Sequence, residues 1–126
     1  MKKNLEEILK DHEELVKEHG EKALIVLECK IELASAYAYQ GNGSEAFRLI
    51  KEVYEAYLEQ FGKEHNLTMS VYGMLGNLAA ALGMHDMALS SFEEVSDYWI
   101  SHYGEDDPRS MMSKKQYEDY KTYYLK

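Results

Sequence analysis

The side chains able to do acid–base or metal chemistry are few and poorly spaced for it. His12 and His19 share a helical face seven residues apart, whereas a helical metal pair uses a spacing of three or four. His65 and His85 fall in expected turns. Cys29, the single cysteine, has no basic neighbour in sequence to hold it as a thiolate. As a small apolar residue on a helix it is expected to pack. There is no glycine-rich phosphate cradle, serine elbow or paired-carboxylate motif. The sequence therefore reads as a non-enzyme, with no catalytic residue, no cofactor and no metal ligand. One cysteine also excludes an internal disulfide framework and fits a reducing, cytoplasmic setting.

The 126 residues include 14 Lys or Arg and 23 Asp or Glu, a formal charge of −9, with 45% apolar side chains. That is enough apolar material for one folded domain. An acidic surface repels phosphate backbones and anionic lipid, so neither nucleic acid nor a membrane is expected as a partner. No apolar run approaches the ~20 residues of a membrane span. The start, Met1-Lys2-Lys3-Asn4-Leu5-Glu6-Glu7, lacks the apolar segment of a secretory signal.

Three- and four-residue apolar spacing recurs throughout, alternation does not, and the single proline is Pro108, so the elements that position any site are helices. Leu5, Ile8, Leu9, His12, Leu15 and Val16 make one stripe of a first helix that stops near Gly20. A second helix is predicted from Glu21 to Gln40. A third, capped by Ser44, runs to Phe61, and a fourth spans Asn66 to Leu82. A fifth, capped by Asp86, reaches Tyr103, and a sixth opens on Asp107-Pro108.

The helix-stopping glycines reveal a repeat. Gly20, Gly62 and Gly104 are each 42 residues apart, as are Gly41 and Gly83. The same offset pairs Leu33 with Leu75, Ala34 with Gly76, Ala46 with Ala88, Ile50 with Phe92, Val53 with Val95 and Tyr57 with Trp99. The run Tyr72-x-x-Leu75-Gly76-x-x-Ala79, followed by Ala88 and Phe92, resembles the tetratricopeptide repeat pattern W-x2-L-G-x2-Y…A-x3-F. The 42-residue period is similar to the longer variety of kinesin light chains and MalT-like regulators, as are Leu75-Gly76-Asn77-Leu78-Ala79 and the turn from Phe61 to Asn66.

The resemblance implies an all-α, right-handed α-solenoid of antiparallel helix pairs within one domain. Residues 1–20 would be an N-terminal capping helix, 21–62 and 63–104 two full repeats, and 105–126 a C-terminal half-repeat. It also implies a protein-binding module whose concave wall comes from the first helix of each pair. Position by position, that wall would include Glu28, Ile31, Ser35, Ala38 and Tyr39, then Ser70, Gly73, Asn77, Ala80 and Ala81, then Met112, Lys115, Asp119, Thr122 and Tyr123. Ile31, Ser35, Tyr39, Ser70, Asn77, Lys115 and Tyr123 are the candidate peptide contacts, with the Asn77 amide set to pair with a peptide backbone. A carboxylate clamp needs more Lys, Arg and Asn than Lys115 and Asn77 supply.

Residues 84–108 hold seven acids and no Lys or Arg, whereas 109–126 hold five bases against two acids. A solvated, acid-capped helix face accounts for the first segment; attraction of a basic partner, or contact between copies, is the functional alternative. Tyr117, Tyr120 and Tyr124 form a stripe expected to pack on the fifth helix near Trp99, leaving Tyr123 and Met112 on another face. The expected function is thus a scaffold that binds a protein or peptide on the concave face. The alternatives are an assembly subunit that forms a homodimer through the C-terminal helix and, from net charge alone, an acidic mimic of nucleic acid.

Overall fold

A computed structural model describes residues 3–125, which contain six helices: α1 (Leu5–His19), α2 (Leu24–Tyr39), α3 (Gly43–Phe61), α4 (Asn66–Ala81), α5 (His85–Tyr103) and α6 (Pro108–Tyr124). Two compact units, Met1–Gln60 and Phe61–Lys126, divide the chain. No described helix is long and apolar enough to cross a membrane.

Local chemistry sets the helix ends. Asn4 Oδ1 accepts from the Glu7 N–H at 2.9 Å, Glu6 and Glu7 face the positive end of α1, and Lys17 and His19 sit at its negative end. Asp107 Oδ1 accepts from the Arg109 N–H at 2.9 Å, with Pro108 in the first helical position, as expected from sequence. Such a cap stabilises a helix by about 1 kcal/mol. Two expected caps are corrected. Gly43 already belongs to α3, so Ser44 lies inside it and Asn42 Oδ1 caps instead, accepting from Glu45 N–H at 3.3 Å. Likewise α5 starts at His85 after an uncapped Met84, which puts Asp86 in the first turn. The second helix begins three residues late, because a turn after Gly20 closes with the Ala23 N–H on the Gly20 carbonyl.

Gly20, Gly41, Gly62, Gly83 and Gly104 all have φ between 79° and 88°, and among the described residues no other residue type has positive φ. Left-handed backbone is costly for any residue with a Cβ, so the turns could be read directly from glycine positions. After Gly41 and Gly83 the same closure recurs, with Asn42 N–H on Tyr37 O at 2.9 Å and Met84 N–H on Ala79 O at 2.8 Å.

In the first unit Val26, Leu27, Leu33 and Ala34 of α2 are buried with Ala46, Leu49, Ile50, Val53 and Tyr57 of α3, while α1 contributes Ile8. In the second, Met69, Leu75 and Ala79 of α4 pack with Ala88, Phe92, Val95, Tyr98 and Trp99 of α5, and Ser110 and Ser113 mark the buried side of α6. Ala46 and Ala88 are both fully buried, as their shared repeat position requires. The tyrosine stripe of α6 does meet α5, but at its other end. Tyr117 donates to Glu93 at 2.6 Å, Tyr120 lies edge-on to Phe92 at 5.2 Å, and Tyr124 stacks on His85 at 4.0 Å. Antiparallel packing brings the end of α6 to the start of α5, and Trp99 instead faces Arg109, whose guanidinium lies 4.9 Å from its ring centroid.

Candidate functional site

In the second unit α4 and α6 flank a groove of about 790 Å³ whose floor is α5. Ser70, Gly73 and Asn77 project from α4; Met112, Lys115, Gln116 and Asp119 from α6; Val95 and Trp99 form the floor. Three of the candidate contacts, Ser70, Asn77 and Lys115, therefore lie together. Tyr123 does not line this groove; it is 70% exposed and lies edge-on to Tyr124. In the first unit Ser35 and Tyr39 line a separate hollow between α1 and α2, with Tyr39 94% exposed, while Ile31 is half-buried and lines neither.

Asn77 is already engaged: its Oδ1 accepts from Gln116 Nε2 at 2.6 Å. Gln116 was absent from the sequence-derived wall although it lies four residues, one helical turn, after Met112 on the same stripe. The bond uses the Asn77 carbonyl and the Gln116 amino group, and leaves the Asn77 amino group and the Gln116 carbonyl with no partner among the described residues. A free amide donor and a free amide acceptor are the two functions that a peptide group can pair with. The rim charges are locally balanced. Lys115 pairs with Asp119 at 2.8 Å, and Arg109 pairs with Asp107 at 3.1 Å while lying over the Tyr103 ring. Bonds to the partner acid hold Lys115 and Arg109 above their ordinary pKa values.

The floor is fixed from below. Tyr98 OH donates to Asn66 Oδ1 at 2.5 Å, and the Asn66 amide donates to Tyr103 OH at 2.7 Å, tying the start of α4 to the end of α5. Ser91 Oγ donates to the Tyr72 carbonyl at 2.7 Å, directly under Gly76. Gly73, one turn earlier, is different: a Cβ built there would meet only the Val95 methyls, at 4.0 Å. Gly76 is required by packing, whereas Gly73 leaves open space above Val95.

The remaining titratable groups of interest serve the fold. Cys29 is buried, with Sγ 4.0 Å from the Ile8 carbonyl, and burial pushes its thiol up, away from a nucleophilic state. Burial, and then the charge of Lys30, pushes the His12 imidazole down. Among the described residues no cluster of His, Cys, Asp and Glu could hold a metal ion.

The 42-residue period, the glycine turns and the alternating packing of small and large residues all meet in one match: the sequence profile of the tetratricopeptide repeat covers residues 23–100, more than half of the chain. The chain belongs to the tetratricopeptide repeat family. Tetratricopeptide repeats form a scaffold fold for protein–protein interaction rather than a catalytic one. Among solved structures the chain is similar to the nearly identical TPR-like repeats of a putative kinesin light chain from Podosopora anserina, with a TM-score of 0.86 and 20% identity over 93% of this chain. A single-substitution form of that protein gives 0.85 at the same identity and coverage. These likenesses establish the all-α fold of TPR-like repeats. This tetratricopeptide chain spans 56% and 55% of those two chains. Among curated proteins no sequence matches it.

Proposed function

We propose that the groove between α4 and α6 binds an extended segment of a partner protein, and that the chain acts as a cytoplasmic, non-catalytic scaffold. The Asn77–Gln116 pair carries this reading, since its free donor and acceptor match one backbone amide of a strand-like ligand. Ser70 and Lys115 line the path, and the space over Gly73 beside Val95 admits a ligand side chain. In the first unit the candidate contacts are Ile31 of α2 and, beside the hollow against α1, Ser35 and Tyr39, while Tyr123 adds apolar surface at the end of α6 outside the groove. Because Lys115 and Arg109 each already hold a carboxylate, a ligand gains little from charge alone.

Selection from a displayed random-peptide library, followed by calorimetry on the selected sequence, tests the reading. Asn77→Ala should weaken binding by about 1–3 kcal/mol, because a ligand amide that lost water would then go unpaired. Gln116→Ala should do the same, and both variants should keep their helical circular dichroism. A selected peptide that binds both variants as tightly as the parent would place recognition elsewhere.

A further inference from the structure

The hollow between α1 and α2 has a counterpart between α5 and α6, where a helix of the same type again follows and packs on its predecessor. At an offset of 84 residues, Ile8 corresponds to Phe92, Ala36 to Tyr120, Tyr39 to Tyr123 and Gln40 to Tyr124. In the second unit this space is filled. The Tyr120 ring sits edge-on to Phe92 with its hydroxyl 2.5 Å from His85 Nδ1, and Tyr124 stacks on His85. In the first unit the alanine methyl and the glutamine leave a hollow of about 760 Å³, with Leu5 and Ile8 on one side and Tyr39 exposed at its mouth. It is shaped by the absence of the aromatic ring that its counterpart contains.

We propose that this hollow receives an aromatic side chain from a second copy of the same chain, namely Tyr123 at the end of α6. Tyr123 is 70% exposed and Leu125 61% exposed. The Tyr123 ring is held edge-on at 4.7 Å to Tyr124, itself fixed on His85, so it is presented with little ordering left to lose. The hollow itself is lined by Glu32 and by Lys3, which Asp11 already pairs, and around it charge is complementary: α1 carries six carboxylates against two lysines, whereas α6 carries four bases, Arg109, Lys114, Lys115 and Lys121, against Glu118 and Asp119. The end of α2 beside the hollow has no basic residue in its last turn, so its helix dipole also favours Lys121, two residues from the inserted ring. Groove and plug are different surfaces, which makes the contact heterologous and head-to-tail.

Sedimentation equilibrium of the full chain over a hundredfold concentration range is the test. The parent should show an average mass that rises with concentration, and the rise should weaken between low and high salt. Ala36→Tyr fills the hollow from within and should leave a monomer with unchanged helical circular dichroism. Ser35→Arg, an exposed change at the mouth that repels Lys121, should do the same should Ala36→Tyr misfold. Tyr123→Ser should weaken association at least tenfold. An equimolar mixture of Ala36→Tyr and Tyr123→Ser should form a one-to-one pair, because one keeps the plug and the other keeps the groove. A parent that stays monomeric throughout, association that survives the variants, or a mixture that stays monomeric would overturn the proposal; in the latter two cases any contact between copies, or with an aromatic peptide of another protein, lies elsewhere.

Discussion

Lys30 in the first repeat and Tyr72 in the second stand at the same place, 42 residues apart, and each reaches across its helix pair to an equivalent glutamate. Lys30 Nζ lies 3.0 Å from Glu52, and Tyr72 OH donates to Glu94 at 2.6 Å. The preceding turn completes each trio with opposite sign: Glu21 pairs with Lys30 at 3.2 Å, and Lys63 pairs with Glu94. Burial pulls the Lys30 pKa down, but the bonds from Glu52 and Glu21 outweigh it and leave the ammonium above its ordinary value. For Glu94 burial pushes up while Lys63 and Tyr72 push down, and the carboxyl ends below its ordinary value. The place therefore asks for a long side chain with a donor at its tip rather than for one residue type. The tryptophan of the family pattern, with its indole N–H, meets the same requirement.

The neighbouring position shows a stricter exchange. Ala34 and Leu49 of the first repeat correspond to Gly76 and Ser91 of the second, where the glycine lies directly over the serine. A Cβ on Gly76 would fall 2.5 Å from Ser91 Oγ and 2.8 Å from Ser91 Cβ. The largest effect that separates the repeats is thus expected from Gly76→Ala, a loss of about 1–3 kcal/mol through overpacking. The reverse change, Ala34→Gly, should cost only about 1 kcal/mol in helix propensity. Urea denaturation of both variants checks this, and equal midpoint shifts would mean the repeats are packed alike after all.

A smaller effect is expected at the donor place. Lys30→Ala should cost about 1–2 kcal/mol, since it removes two charge-assisted bonds and a buried stem, while Glu52 keeps Arg48. Lys30→Tyr, which copies the second repeat, should come within about 1 kcal/mol of the parent. Thermal melting of the pair decides it. If the tyrosine is as damaging as the alanine, the two trios are not interchangeable.

The smallest effect has the opposite sign. Gly73→Ala should raise stability by about 0.5–1 kcal/mol, because its new Cβ touches nothing closer than the Val95 methyls and the helix loses a flexible residue. The same methyl narrows the proposed groove, so a ligand selected on the parent should bind this more stable variant less tightly. Stability and binding moving together would show that Gly73 faces no ligand.

Helix number, turn positions and repeat period were legible because each depends on a few adjacent residues: glycine for a positive φ, Asp107-Pro108 for a helix start. The caps at Ser44 and Asp86 were misread because Asn42 and Met84 stand earlier, and a cap is decided by which residue leaves the helix first. Part of the groove was legible as a stripe on α4 and α6. The Asn77–Gln116 bond was not, since it joins side chains 39 residues apart and depends on how two helices are set beside each other. Nor was the hollow beside Ala36, which exists only by contrast with the ring at Tyr120.

The five turn glycines have a consequence for mirror-image chemistry. Each holds a positive φ, and a Cβ added at Gly20, Gly41, Gly62, Gly83 or Gly104 would find no atom within 4 Å. The obstacle to a side chain there is handedness alone, not space. A D-alanine, whose backbone prefers that sign of φ, would remove the conflict of handedness and would restrict the unfolded chain at five points spaced 21 residues apart. Made by chemical synthesis, such a chain would keep its L-residue helices and carry its opposite-handed residues only at the corners.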